Sequence, residues 1–162
     1  MKFIKLLSVV LISLFCNSIA NSQTPEENPI KWRMSVKMTS ATEGVVTVTA
    51  IVSPGWHLYG MNLPEDGPIS TTFDFGDSKG IKFKGEFTPS EKPGTHKDSN
   101  FGMELQWWEK NVSFSRKFVL TGKVSDAVVS GSVRFMACND MNCIPPKTVS
   151  FKTNIKPYTA AK

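Results

Sequence analysis

Residues 32–52 read Trp32-Arg-Met34-Ser-Val36-Lys-Met38-Thr-Ser-Ala-Thr-Glu43-Gly44-Val-Val46-Thr-Val48-Thr-Ala50-Ile-Val52. Trp32, Met34, Val36 and Met38 point one way, and Arg33, Ser35 and Lys37 point the other. A period of two belongs to an extended strand with one buried face, because successive side chains leave a pleat on opposite sides. After a turn at Glu43-Gly44, Val46, Val48, Ala50 and Val52 repeat the pattern. The stretch therefore predicts two neighbouring strands that set their apolar faces on one core.

The same alternation recurs down the chain. Ile81 and Phe83 alternate with Lys82 and Lys84. Val112, Phe114, Phe118 and Leu120 share a face, with Ser113, Ser115 and Lys117 opposite. Val133, Phe135 and Ala137 form the next face, and Val149, Phe151 and Ile155 the last. Turn signals separate the runs at Pro54-Gly55, Asp66-Gly67-Pro68, Lys79-Gly80, Pro93-Gly94 and Thr121-Gly122. No segment carries a helical apolar stripe. Short strands with one apolar face each predict an all-β, immunoglobulin-like antiparallel β-sandwich, with a closed barrel as the alternative.

The chain start reads as a secretory signal over residues 1–20. Lys2 and Lys5 supply the positive region, Leu6 to Phe15 the apolar one, and Ser18-Ile19-Ala20 a small-x-small cleavage site. A lipoprotein signal ending at Cys16 competes, but Phe15 is bulky where a small residue is needed. Residues 21–30 are polar and proline-interrupted and predict a flexible leader, followed by one domain over 31–158. No later segment is apolar enough to cross a membrane, so the expectation is a soluble protein outside the cytoplasm after cleavage. Loss of Lys2 and Lys5 lowers the formal charge from +5 to +3. Lys82, Lys84, Lys92 and Lys97 are interleaved with apolar and turn residues, which points to solvated strand faces and to no nucleic acid partner.

Signal removal also takes Cys16, leaving Cys138 and Cys143 in the run Met136-Ala-Cys-Asn-Asp-Met-Asn-Cys-Ile-Pro-Pro-Lys147. A ring of this size contributes about 2 kcal/mol in the chain-entropy model, near the low end for a disulfide. Redox chemistry is therefore one reading of the pair and a surface hairpin staple the other. If Val133, Phe135 and Ala137 face the core, Met136 and Cys138 face outward, across a loop of Asn139, Asp140, Met141 and Asn142. Pro145 and Pro146 lack N–H donors, so ladder pairing is not expected directly after Cys143, whose sulfur would sit on a stiff unpaired segment. A rigid, exposed, small-ring disulfide is the labile kind. Zinc is not expected, since the two cysteines lack a second ligand pair.

The run Cys138-Asn-Asp-Met-Asn-Cys143-Ile-Pro145-Pro146, ending an immunoglobulin-like strand series, resembles the N-terminal periplasmic domain of the DsbD-type thiol:disulfide interchange proteins. The resemblance covers roughly residues 30–156. Pro54-Gly55-Trp-His-Leu-Tyr59 resembles the family's glycine–aromatic–Leu–Tyr strand, and Asp98-Ser-Asn100-Phe101-Gly102 its cap loop. The resemblance implies a protein-disulfide reductase relay. Such a relay takes electrons from a thioredoxin-like domain of a membrane electron transporter and hands them to oxidised periplasmic proteins. It implies that Cys143 forms the intermolecular disulfide and that Cys138 resolves it. Phe101 would shield the pair, and His57 and Tyr59 would line the site. Known members carry one more residue between the cysteines. The family's transmembrane core and thioredoxin-like C-terminal domain have no counterpart in these 162 residues, so a free-standing relay is expected, with a DsbD-type transporter and thioredoxin-fold proteins as partners.

The neighbours admit two readings each. Phe101, between Asn100 and Gly102, suits a mobile lid or an ordinary core. His57 could stabilise a departing thiolate or be a satisfied boundary histidine. Asp140 would raise a nearby thiol's pKa or accept a proton during exchange. Trp107 and Trp108 are adjacent, so a strand sends one to the core and frees the other for a partner-docking surface. No cofactor is expected. Met103, Met136, Met141 and His57 are soft ligands that raise copper as a minor alternative. A secreted binding module with a purely structural disulfide is the competing function.

Overall fold

The computed structural model describes residues 28–160. The expected signal, Cys16 and all but the end of the expected leader lie outside the described residues. Ten strands form among the described residues: β1 (Ile30–Met38), β2 (Glu43–Val52), β3 (His57–Tyr59), β4 (Thr72–Asp74), β5 (Ile81–Pro89), β6 (Gly94–Asp98), β7 (Met103–Trp108), β8 (Val112–Leu120), β9 (Val128–Cys138) and β10 (Cys143–Asn154). One 3₁₀ turn, Val124–Asp126, precedes β9. No helix among the described residues is long and apolar enough to cross a membrane.

The strands make two antiparallel sheets. One has the order β1-β2-β8-β5; the other runs β10-β9-β3-β7-β6, with β4 also pairing to β9. Two separate sheets packed face to face are the expected sandwich, and the closed barrel is set aside. Alternation explains the inner faces. Val46, Val48, Ala50 and Val52 of β2 are buried, as are Val112, Phe114 and Phe118 of β8. Val133, Phe135 and Ala137 of β9 oppose them, each fully buried. Burying a valine or phenylalanine side chain stabilises the fold by about 1.5–3 kcal/mol. Trp32 packs on Phe135 at 5.3 Å and on Phe114 at 6.1 Å between ring centroids. On the outer face of the first sheet, hydroxyls pair across strands, Thr47 with Ser115 at 3.1 Å and Thr49 with Ser113 at 2.9 Å.

Strand β9 organises the second sheet. Residues Val128–Phe135, with Ala137 and Cys138, pair along one edge with β10. Along the other edge, Ser132–Arg134 pair with β4, and Ala137 and Cys138 pair with β3. At Gly131 the chain passes so close to Asp74 and Phe75 that a β-carbon would overlap the Asp74 carbonyl oxygen and the Phe75 ring. Gly131→Ala should therefore destabilise the domain by about 1–3 kcal/mol, the usual cost of overpacking a core. Urea denaturation of the oxidised protein would measure the loss.

Candidate functional site

Strand β9 ends at Cys138, whose register neighbours are His57 on β3 and Cys143 on β10. Cys138 and Cys143 form a disulfide, with Cα atoms 4.0 Å apart. Parity holds here: Ala137 turns into the main core, and Cys138 turns to the opposite face. That face is not open. Tyr59, Leu105, Trp107 and Cys138 make a second buried cluster there, with Leu63, Phe101, Met103, Met136 and Cys143 packed against it. Cys138 is 0% exposed and Cys143 is half-buried, so the expectation of an exposed disulfide is corrected. The cover comes from β7, from β3 and from the loop after β6.

The unpaired setting expected for Cys143 is also corrected. Cys143 and Ile144 pair directly with Cys138 and Ala137, and pairing resumes at Lys147 opposite Phe135. Pro145 and Pro146 stand together opposite Met136, as the two extra-spaced residues of a bulge, both exposed. Prolines have no N–H for a ladder, so the bulge is where the strand can hold them. Between the cysteines, the Asn139 side-chain oxygen accepts the N–H groups of Met141 (2.9 Å) and Asn142 (2.6 Å). Asp140 is exposed in this loop, and Met141 is 82% exposed. Met103 and Met136 pack beside Cys138, so Met141 stands apart from the other soft ligands.

Residues Ser99–Gly102 connect β6 to β7. Asp98 Oδ1 accepts the N–H groups of Asn100 (2.7 Å) and Phe101 (3.0 Å), an Asx turn, and the Gly102 N–H donates to the Asp98 carbonyl at 2.9 Å. Gly102 has φ +69°, a conformation that favours glycine. Phe101 is half-buried and meets the Tyr59 ring edge-on at 5.9 Å. Asn100 Nδ2 donates to the Asn139 carbonyl at 3.4 Å, tying this loop to the cysteine loop.

Beneath the loop lie the polar groups. The Tyr59 hydroxyl donates to Asp98 Oδ2 at 2.5 Å, and its pKa is raised by burial first and by Asp98 second. His57 Nε2 lies 4.0 Å from the same oxygen, is buried, and has no hydrogen-bond partner within the protein. The His57 ring stacks on Trp107 at 4.2 Å, and His96 stacks on Trp107 at 4.4 Å from the neighbouring strand. Burial holds the His57 pKa below its ordinary value; Asp98, Glu109 and Asp140 pull it back up, and His96 adds to the lowering. His57, Lys97, Asp98, Ser99, Asn100, Trp107, Asn139 and Asp140 line a half-open cavity of about 90 Å³.

All ten residues expected at the site thus fall at one end of the second sheet, on β3, at the end of β9, on the two loops, or at the start of β10. Trp108 enters the main core and Trp107 the opposite face, as adjacency requires. Trp107 is not a free docking surface: it is buried between two histidines. Asp98, Trp107 and His96 belong to the site and were not singled out as its members. The turn chemistry of Asp98-Ser-Asn was a usable signal for the first of them.

The family described as "Thiol:disulfide interchange protein DsbD, N-terminal" matches residues 24–155. The chain belongs to this DsbD N-terminal family. The fold is similar to that in the crystal structure of the N-terminal periplasmic domain of ScsB from Proteus mirabilis, with TM-score 0.56 and 15% identity over 81% of this chain. The match covers 48% of that chain, so this protein spans about half its length. A yeast GGA1 GAE domain is a more distant match, at TM-score 0.45 and 9% identity, covering 81% of this chain and 95% of that one. No curated protein sequence gave a match. Membership brings a thiol:disulfide interchange domain with its cysteine pair in place.

Tyr59→Phe should cost about 1–3 kcal/mol in urea denaturation, because the buried Asp98 carboxylate loses a donor. His57 sets a pH dependence. Its folded pKa lies below its unfolded value, so its stabilising contribution is complete above about pH 6.5 and is lost as pH falls from there through the lower folded pKa. The urea midpoint should therefore fall further between about pH 7.5 and about pH 5 in the native protein than in His57→Gln.

Proposed function

We propose that the chain is an exported, periplasmic thiol:disulfide relay. It would pass reducing equivalents from a membrane electron transporter of the DsbD type to oxidised thioredoxin-fold proteins through Cys138 and Cys143. The observation that carries this reading is the unequal burial of the two cysteines. Cys143 is half-buried at the start of β10, and Cys138 is fully buried behind it. An incoming thiolate reaches the outer sulfur more readily, and exchange rates depend on which sulfur is accessible. Family membership supports the class of chemistry, and the charged and apolar segments of residues 1–20 support export.

The exchange balances in two halves. A thiolate of the donor attacks Cys143 Sγ, the Cys138–Cys143 bond breaks, and Cys138 leaves as a thiolate. The donor's second thiol then attacks the mixed disulfide, so the donor departs oxidised and both cysteines are reduced. Toward a client the steps reverse. The Cys143 thiolate opens the client disulfide, and Cys138 attacks Cys143 Sγ to release the client as a dithiol. Phe101 serves as the cap over the pair, with Asn100 and Gly102 shaping its loop. Pro145 and Pro146 stiffen the chain just beyond Cys143.

Cys138→Ala should accumulate mixed disulfides through Cys143 with thioredoxin-fold partners, and Cys143→Ala should trap few. Equal trapping by both variants would overturn the assigned roles. The full burial of Cys138 also fits an inert staple in a secreted binding module. A reduction potential well below about −300 mV, as structural bridges have, together with no trapping, would favour that module.

A further inference from the structure

We propose that His57 delivers the proton Cys138 needs when its sulfur leaves the disulfide, and that the cavity beneath the Ser99–Gly102 loop holds the water through which this proton arrives. The proposal rests on the interchange reading and adds a residue to it. Cys138 is fully buried among Tyr59, Leu105 and Trp107, so a thiolate formed there faces a large desolvation cost unless it is protonated or paired. Its cross-strand neighbour on β3 is His57, whose ring lies on the same face against Trp107 and Tyr59. Residues directly opposite in antiparallel strands have β-carbons about 5 Å apart, within reach of an imidazole.

Two further observations point to a proton path rather than to packing alone. His57 Nε2 is buried without a partner in the protein, an arrangement that costs stability and calls for a water or a function. The cavity that His57 lines, of about 90 Å³, has room for water and offers Asp98, Asn100, Asn139 and Asp140 as polar partners. An imidazole can take a proton at one nitrogen and give one from the other. The titratable groups around the ring are Tyr59 on its own strand, Lys97 and Asp98 on β6, Glu109 beyond β7, Asp140 in the cysteine loop, and His96 on the far side of Trp107. Emergence of a thiolate beside His57 adds a negative charge and raises the ring's affinity for a proton.

With a small dithiol as reductant the step closes. One thiolate attacks Cys143 Sγ, the bond's electron pair leaves on Cys138, and His57 passes a cavity proton to that sulfur. The second thiol releases Cys143 and closes the reductant into its cyclic disulfide. The reductant loses two electrons and two protons, and the cystine gains both.

The experiment is stopped-flow reduction of the oxidised protein by dithiothreitol across pH, with rates divided by the dithiothreitol thiolate concentration. The native protein should show a normalised rate that rises by about tenfold or more as pH falls through the His57 pKa, because a protonated neighbour assists the departing sulfur. His57→Phe and His57→Gln should give flat profiles. Should both variants fail to fold, the native protein still decides: the kinetic midpoint must coincide with the NMR titration of the His57 ring proton. A flat native profile, a rise retained in the variants, or midpoints that disagree would each overturn the proposal. Dithiothreitol replaces any protein donor, so failure of the trapping experiment sinks the relay without touching this result.

Discussion

The last residues of β9 are buried on both faces, and the rest of the site follows from that constraint. Ala137 belongs to the sandwich core, while Cys138 needs cover on the other side of the same sheet. A strand buried on two sides needs pairing on both edges, because its backbone groups have no water to turn to. β10 supplies one edge and β3 the other. The sheet then extends through β7 and β6, whose connecting loop folds back over the second cluster. The row His57–Cys138–Cys143 is thus a consequence of how β9 is paired.

The prolines reconcile two demands that an ordinary strand could not meet. Cys143 pairs with Cys138, which turns Ile144 into the core beside Ala137. Val149 and Phe151 also pack on that core. Ile144 and Val149 are five positions apart, and an odd spacing sends side chains to opposite faces of a regular strand. One extra residue at Pro145–Pro146 resets the parity. It does so at the one place where the missing N–H groups leave no ladder bond unmade.

Alternation made the first sheet legible, because β1, β2 and β8 each bury one face and wet the other. It fails where both faces are covered. β3 is three residues long and wholly buried, so it has no period to read, and Trp107-Trp108 are both buried on opposite sides. The parity of Cys138 could be derived from Val133, Phe135 and Ala137, whereas its exposure could not. Exposure depends on Phe101 and Trp107, which come from a loop and from another strand. Asp98 shows the same limit. Its turn chemistry is local, but its burial depends on a hydroxyl 39 residues away in Tyr59.

That carboxylate also determines how the loop over the disulfide can move. The bonds from Asn100, Phe101 and Gly102 all return to Asp98, so they are internal to the turn and survive if it lifts as a unit. The Tyr59–Asp98 bond holds the base of the loop to β3. What lifting must break is the packing of a half-buried Phe101 and the long Asn100–Asn139 bond. Burial of one ring is worth at most about 3 kcal/mol, and a hydrogen bond about 1 kcal/mol net. Opening therefore costs a few kcal/mol, a range in which a minor state is populated at roughly 0.1–10%. A loop built this way covers the cluster around Cys138 in the ground state and can lift without breaking its own turn.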